Sequence, residues 1–455
     1  MSNILVKDLR HSYEDFRYRT PIKFGGVAVD RVTILNVEVD VETAAGQRAT
    51  GFGSMPLGNV WAYPSRAMAY QQTLDAMKAV TDRVADVYRG YKAPGHPIDI
   101  TFTVEDECFK QAADVGKRLN VADPIPVLAT LVCTSPFDSA LHDAFGKMHG
   151  LNCYSAYGPD LLPNDLSHYL GREFAGLRLH DFVSSKAKPR MPLYHLVGAL
   201  DPLTTADVKQ PINDGLPETL AEWIPFNGLT HLKIKLNGDD LGWDVERVVG
   251  VNRVVEEQQA KRRVTTWFYS LDFNERCTNV AYLLEFLRQA REKTPRAFDR
   301  IQYIEQPTRR DLKSDRANVM HEAAKLRPVV IDESLIDLKS LRLAKEMGYT
   351  GAALKACKGQ TQSLLIAAAA KKDGMFLCVQ DLTCPGASLI HSAGLAAHIP
   401  GIVAIESNAR QYCPAANAPW ELQFPGMFRI TDGTMQTELL DGPGLGAVAP
   451  ASGAA

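Results

Sequence analysis

Between Pro192 and Glu406 the chain repeats one pattern: a short apolar run that ends on a polar or charged residue, followed by a helical stretch. The runs are PLYHLVGA from Pro192, HLKIKL from His231, VTTWFYSLDF from Val264, IQYIEQ from Ile301, PVVIDES from Pro328, GAALK from Gly351, MFLCVQ from Met375 and IVAIES from Ile402. Lys233, Asp272, Glu305, Asp332, Lys355, Gln380 and Glu406 mark the ends of the last seven, at steps of 23 to 39 residues. Such steps are the size of a strand plus a helix, and eight in succession predict an α/β fold, a parallel (β/α)8 barrel of TIM type. An open doubly wound sheet is the alternative. NVAYLLEFLRQAREKT from Asn279 predicts a helix with Val280, Leu283, Leu284 and Leu287 on one face, and LKSLRLAKEMG from Leu338 predicts another that stops at Gly348.

Upstream the period changes. VDRVTILNVEVDVETAAGQRATGFGS from Val29 alternates across a glycine-containing turn, which predicts an antiparallel hairpin, and helical segments follow from Ser65 and Ser135. Residues 1–190 are therefore expected to form a separate N-terminal α+β domain, and 191–415 the barrel. MFRITDGTMQTELL from Met427 alternates again, so 416–446 is expected to return to the first domain, leaving 447–455 as a disordered tail. The 157–190 stretch is polar and weakly periodic and reads as an insertion or long connection. GFGSMPLG from Gly51 reads as a glycine-containing loop suited to a lid over the barrel mouth.

Composition narrows the partner. Fifty basic and 53 acidic residues give a net charge of −3, which offers no bulk attraction to nucleic acid or an anionic membrane and points to a small molecule. The eight cysteines are scattered without a C-x-x-C pair, as expected of reduced thiols. The first twenty residues carry charges throughout and no run approaches the ~18 apolar residues of a membrane span, so a cytoplasmic location is expected.

The strand ends hold the chemistry. Lys233 and Lys235 lie two apart on one strand and so share a face, where a strand buried on both sides has little reason to carry lysines; an edge strand or solvated loop is the alternative. Asp272, Glu305 and Asp332 end three consecutive strands. Together at one mouth they would repel unless a hard cation compensates them, and an oxygen-only set selects Mg2+, with Mn2+ as an alternative, over Zn2+; three independent helix caps would be the bland explanation. Lys355 ends the sixth strand, across the mouth from the second, so lysines flank a metal-bound substrate as two candidate bases. Lys358 stands at the entrance of the next helix, where a surface or anion-contact role competes with a catalytic one. Asn274, Gln306 and Glu333 follow the acids and suit orienting ligands and lysines through hydrogen bonds. Trp61 and Tyr63 are either ligand contacts or first-domain core.

K-I-K at Lys233, D-F-N at Asp272, I-E-Q-P at Ile304, I-D-E-S at Ile331 and L-K-A-C-K-G at Leu354 together resemble the enolase superfamily, in its muconate-cycloisomerase-like (mandelate racemase/muconate lactonizing enzyme) family. FDSALHDAFGKMHGLNCYSAYG at Phe137 and DGPGLG at Asp441 extend the resemblance from about Pro21 to Gly446. The resemblance implies a modified barrel with an N-terminal capping domain, Mg2+ on Asp272, Glu305 and Asp332, Lys235 and Lys355 as an acid–base pair, Lys233 in support, and Glu406 facing the substrate. Gln380 and Asp381 stand where a histidine of the mandelate-racemase-like branch would be expected, which favours two-lysine chemistry over a His–Asp dyad. IESNAR from Ile405 lacks the D-x-D element of the dipeptide epimerases. A homo-oligomer is implied by the resemblance alone.

These features predict Mg2+-dependent abstraction of the α-proton of a small carboxylate through an enediolate. Racemisation or epimerisation ranks first, because two facing lysines are required for it. Alternatives are a lyase acting by dehydration or β-elimination, a cycloisomerase, a Schiff-base aldolase using Lys355, and a non-enzymatic metal-binding barrel.

Overall fold

A computed structural model describes residues 3–24 and 26–447. Apart from Ala447, the expected disordered tail lies outside the described residues. Eight parallel strands close into a barrel: β4 (Arg190–Val197), β5 (His231–Lys235), β6 (Phe268–Asp272), β7 (Ile301–Glu305), β8 (Val329–Ile331), β9 (Gly351–Leu354), β10 (Phe376–Val379) and β11 (Ile405–Glu406), with β11 pairing back onto β4. All eight predicted strands are present, and the ring closure excludes the open sheet.

Each strand is short because only its middle must bridge the ring, while alternate side chains fill two different volumes. Leu232 and Ile234 of β5 join the large core beneath the outer helices. Tyr194, Tyr303, Val330, Ala353 and Cys378 instead pack together inside the ring. The Val280–Lys293 helix buries Leu283, Phe286, Leu287 and Ala290; Val280 and Leu284 of the predicted stripe are only half-buried. The helix is rotated so that its largest ring, Phe286, meets Phe273 edge-on at the end of β6.

The first 150 residues form an antiparallel three-stranded sheet against three long helices. In order the strands are β1 (Ile4–Phe24), β2 (Val27–Thr43) and β3 (Arg48–Pro56). The helices Tyr70–Gly90, Pro97–Leu119 and Val127–His149 bury one face of that sheet. Gly51 to Met55 is not a lid: it belongs to β3, paired in register with β2. Gly53 is needed because its backbone lies on the Val127–His149 helix, where a Cβ would overlap the Pro136 carbonyl oxygen. Gly53→Ala is expected to cost about 3 kcal/mol, at the upper end of overpacking penalties, read as a lower urea midpoint at unchanged slope.

The segment after Met427 differs in part from expectation. The alternating stretch after Met427 contributes β12 (Thr434–Gln436), which pairs antiparallel with the first residues of barrel strand β4 instead of with the N-terminal sheet. Ala416 and Trp420 already pack on the N-terminal sheet, and beyond β12 the chain reaches the N-terminal helical region, where Asp143 Oδ1 accepts from Leu445 N at 2.9 Å and Cys153 N donates to Gly444 O at 2.7 Å. The 157–190 connection packs Leu162, Leu166, Phe174 and Leu179 into the outer barrel core. No helix among the described residues is long and apolar enough to cross a membrane.

Candidate active site

The C-terminal ends of the strands gather the predicted residues at one mouth. Lys233 and Lys235 follow the inward register of β5, opposite to Leu232 and Ile234. Lys233 is 1% exposed, with Nζ 3.0 Å from Asp272 Oδ2 and 2.7 Å from both Glu305 Oε2 and Glu406 Oε2. Lys235 pairs with Asp272 and donates to Asn274 Oδ1 at 3.0 Å. Strand β9 stands diametrically across the ring from β5. There Lys355 Nζ lies 2.8 Å from Asp332 Oδ2, and Lys358 donates to Asp332 Oδ1 at 3.0 Å and to its carbonyl at 2.6 Å. Lys358 is buried in the site, which excludes its reading as a surface residue.

The neighbouring polar residues hold this arrangement. Gln306 Oε1 accepts from the N–H groups of Asp332 (3.0 Å) and Ser334 (3.3 Å), fixing the chain after β8. Gln380 donates to Glu305, and Glu333 Oε1 accepts from Asn274 Nδ2 at 3.4 Å. Asp381 spends its carboxylate on the N–H groups of Thr383 (3.0 Å) and Asn408 (3.2 Å), so it ties two loops together; its carbonyl takes a 3.4 Å contact from Lys355. Asn274, Glu275, Gln306 and Thr383 all have positive φ, at 44°, 59°, 30° and 54°. This left-handed backbone is costly for non-glycine residues and gathers where function demands it.

Six carboxyl groups (Asp272, Glu305, Asp332, Glu333, Asp381 and Glu406) face four lysines (Lys233, Lys235, Lys355 and Lys358), all buried, so the acids outnumber the lysines. The titration directions record the imbalance. Burial pushes Asp272 and Asp332 up, but the lysines beside each outweigh it and hold both carboxyls below their usual range. Burial and Asp272 drive Glu305 well above it, burial and Asp332 push Glu333 up to about 7, and burial and Glu406 push Asp381 up to about 7. Among the described residues no three His, Cys, Asp or Glu side chains lie close enough to enclose a metal ion, since lysine ammonium groups stand between the acids. The donor chemistry nevertheless fits one divalent cation. It is oxygen-only, its acids outnumber the lysines beside them, and buried Glu305 Oε1 has no hydrogen-bond partner.

The N-terminal segment covers the mouth with two aromatic rings. Trp61 Nε1 donates to Glu333 Oε1 at 3.0 Å, and its ring centre lies 4.4 Å from Lys355 Nζ; the ring of Phe24 lies 5.8 Å from Lys235 Nζ. Gly58, at φ +51°, precedes Trp61 where a Cβ would strike Leu382 of the loop after β10, so the close approach of this segment to the barrel requires glycine. Tyr63 donates to the Asp123 carbonyl; like Trp61 it belongs to the N-terminal core and also lines the cavity beside the mouth. Arg310 was not apparent from the sequence. It pairs with Glu275 and donates both terminal nitrogens to the Trp61 carbonyl at 3.2 Å, and no periodicity or motif marks either partner. From Asn274 and Glu333 a cavity of about 490 Å3 opens past Phe24, Trp61 and Arg310.

The closed parallel barrel, its antiparallel cap and the charged mouth define a modified (β/α)8 barrel of the enolase type. A family model described as enolase C-terminal domain-like matches residues 216–450, and the chain belongs to that family, within the mandelate racemase/muconate lactonizing enzyme group of the enolase superfamily. Among solved structures, it is similar to a mandelate racemase/muconate lactonizing protein from Herpetosiphon aurantiacus (18% identity, TM-score 0.62, covering 96% of this chain and 97% of that one). An enolase from Bradyrhizobium complexed with magnesium and mandelic acid is 16% identical, with TM-score 0.62 and coverage of 98% and 96%. An N-succinyl Arg/Lys racemase from Bacillus cereus is 16% identical, with TM-score 0.61 and coverage of 97% and 95%. No curated protein matches the sequence.

Proposed function

We propose that this chain is a racemase or epimerase that moves the α-proton of a small carboxylic acid from one face to the other between Lys235 and Lys355. The observation that carries the reading is the placement of two buried lysines on diametrically opposite strands, each braced by an acid and each covered by an aromatic ring. One lysine, as the free amine, takes the proton from the α-carbon; the other, as the ammonium, returns a proton to the opposite face. Lys233, shared among three carboxylates, holds Asp272 and Glu305 in place and keeps a fixed positive charge beside the developing enediolate. Asp272, Glu305 and Asp332 are the residues that would hold Mg2+, which when bound supplies positive charge and makes the α-proton of a ligated carboxylate more acidic. Asn274, Gln306 and Gln380 orient these groups, while Trp61 and Phe24 exclude water from the lysines. A cavity of about 490 Å3 adjoins the mouth at Asn274 and Glu333 and would take a substituent that extends from the carboxylate past Trp61.

Proton NMR in D2O with Mg2+ and pooled amino-acid derivatives, sugar acids and lactones tests the reading. Loss of α-proton signal with inversion supports it; elimination or ring opening without inversion would transfer the site to a lyase or cycloisomerase. Trp61→Ala, which uncovers Lys355, is expected to lower kcat/KM about tenfold, equivalent to ~1.4 kcal/mol. Trp61→Phe keeps the ring and loses the Glu333 hydrogen bond, with an expected loss of about threefold.

A further inference from the structure

The wall of the barrel has a second cavity, open at one rim, on its outside. A cavity of about 500 Å3 lies between β4, the helix Leu220–Asn227 and the 198–219 connection, and is completed by Arg19 to Pro21 and by Gln411 and Tyr412. Tyr194 packs in the lumen, so His195, the next residue on the strand, faces outward into this flank, away from the four lysines. The ring of His195 is 2% exposed and sits 5.6 Å from that of Trp223, which also lines the cavity.

Behind His195 lies Arg410, 6% exposed. Its guanidinium donates to Asn227 Oδ1 and to His195 Nδ1, both at 2.6 Å, and stands 5.3 Å from the Trp223 ring centre. Its Nε has no partner, and among the described residues Arg410 forms no ion pair. A buried cation without a paired anion is costly. Burial correspondingly pushes this guanidinium down to about 9, against the pull of Tyr412 and Asp381. Because arginine only donates, His195 Nδ1 is the acceptor and the ring proton sits on Nε2. Nε2 makes no hydrogen bond among the described residues. The cavity wall therefore offers an N–H donor polarised by a cation.

The acids around the same cavity are already committed. Asp207 accepts from the N–H groups of Leu203 (3.1 Å) and Thr204 (2.8 Å), Glu218 from those of Ile212 (2.8 Å) and Asn213 (3.0 Å), and Asp201 from Gly198 N (2.8 Å) and the Tyr412 hydroxyl. They shape the connection. Arg19 is held by Asp214 and the Leu216 carbonyl, whereas Lys209 at the rim is exposed and has no partner among the described residues.

We propose that this flank cavity binds a small anion, a carboxylate or phosphate whose oxygen accepts the His195 Nε2–H with Arg410 as counter-charge. The full chain, labelled with 15N at histidine, is titrated with sodium succinate and separately with inorganic phosphate at constant ionic strength. The imidazole correlation of His195, assigned with His195→Gln, is the readout. A saturable shift with one of the two anions is expected and tells which chemistry the site takes. Arg410→Gln is expected to weaken binding at least tenfold and Lys209→Ala about threefold. Leu200→Trp fills the cavity from its exposed rim without disturbing the buried arginine, and should abolish the shift even if Arg410→Gln fails to fold. Lys355→Ala should leave the shift intact, which separates this site from the barrel mouth. Absence of a saturable shift with both anions, persistence of the shift in Leu200→Trp, or native affinity in a folded Arg410→Gln protein overturns the proposal.

Discussion

Lys355→Ala is expected to reduce racemisation by about a hundred- to ten-thousandfold, the usual worth of a positioned acid–base group, and Lys235→Ala by a similar factor. Each variant should still exchange the α-proton of the one enantiomer that presents it to the surviving lysine. The pair would thus show opposite stereospecific deuterium wash-in by NMR, with little inversion in either. The fold should tolerate both changes, because each leaves a buried acid with another cation: Asp332 keeps Lys358, 3.0 Å away, and Asp272 keeps Lys233, also at 3.0 Å. Native racemisation rates in either variant would exclude the two-lysine reading, whereas loss of all exchange for both enantiomers in one variant alone would identify a single-base reaction such as elimination.

Removal of the divalent cation has the second largest expected effect. With six buried carboxyl groups against four lysines, chelator-treated protein should fall to background exchange and recover with Mg2+. A cation that binds the native state alone stabilises it, by about 2.7 kcal/mol at a hundredfold excess over its dissociation constant, so the melting temperature should rise with Mg2+ before any substrate is added. Glu305→Gln, which removes a charge and alters the oxygen left without a hydrogen bond, should abolish that rise. A melting temperature indifferent to Mg2+ and Mn2+, with no heat of binding in calorimetry, would leave the lysines as the sole neutralisers of the mouth and remove the metal from the mechanism.

The eight strands were legible because a parallel barrel strand is a brief apolar run ended by a functional residue, and that grammar is local. The same locality gave the core-facing side of the Val280–Lys293 helix, with Leu283 and Leu287 buried, but not its centre at Phe286. Its rotation depends on where Phe286 finds Phe273, a contact between different elements. Gly51 and Gly53 were misread for a related reason: glycine in sequence signals flexibility, whereas here the missing side chains let a strand lie directly on a helix. β12 shows the limit of alternation, which reveals a strand but not its partner.

Lys233, Lys235, Asp272, Glu305, Asp332 and Lys355 were legible in the sequence as a set of charged residues at the ends of buried strands. The sequence also named Glu333, Asp381, Glu406 and Lys358 beside them, but how these groups share charge was decided only in three dimensions. The cover over the lysines was also decided there. Trp61 and Phe24 lie far from Lys355 and Lys235 in the chain, and Arg310 anchors the Trp61 backbone through hydrogen bonds that no spacing encodes. The sequence by itself determined which groups are available at the strand ends, because strand period and burial act over a few residues. Their pairing, their shielding and the distribution of charge among them follow from ring closure and from the docking of the N-terminal segment, which bring together residues up to hundreds of positions apart.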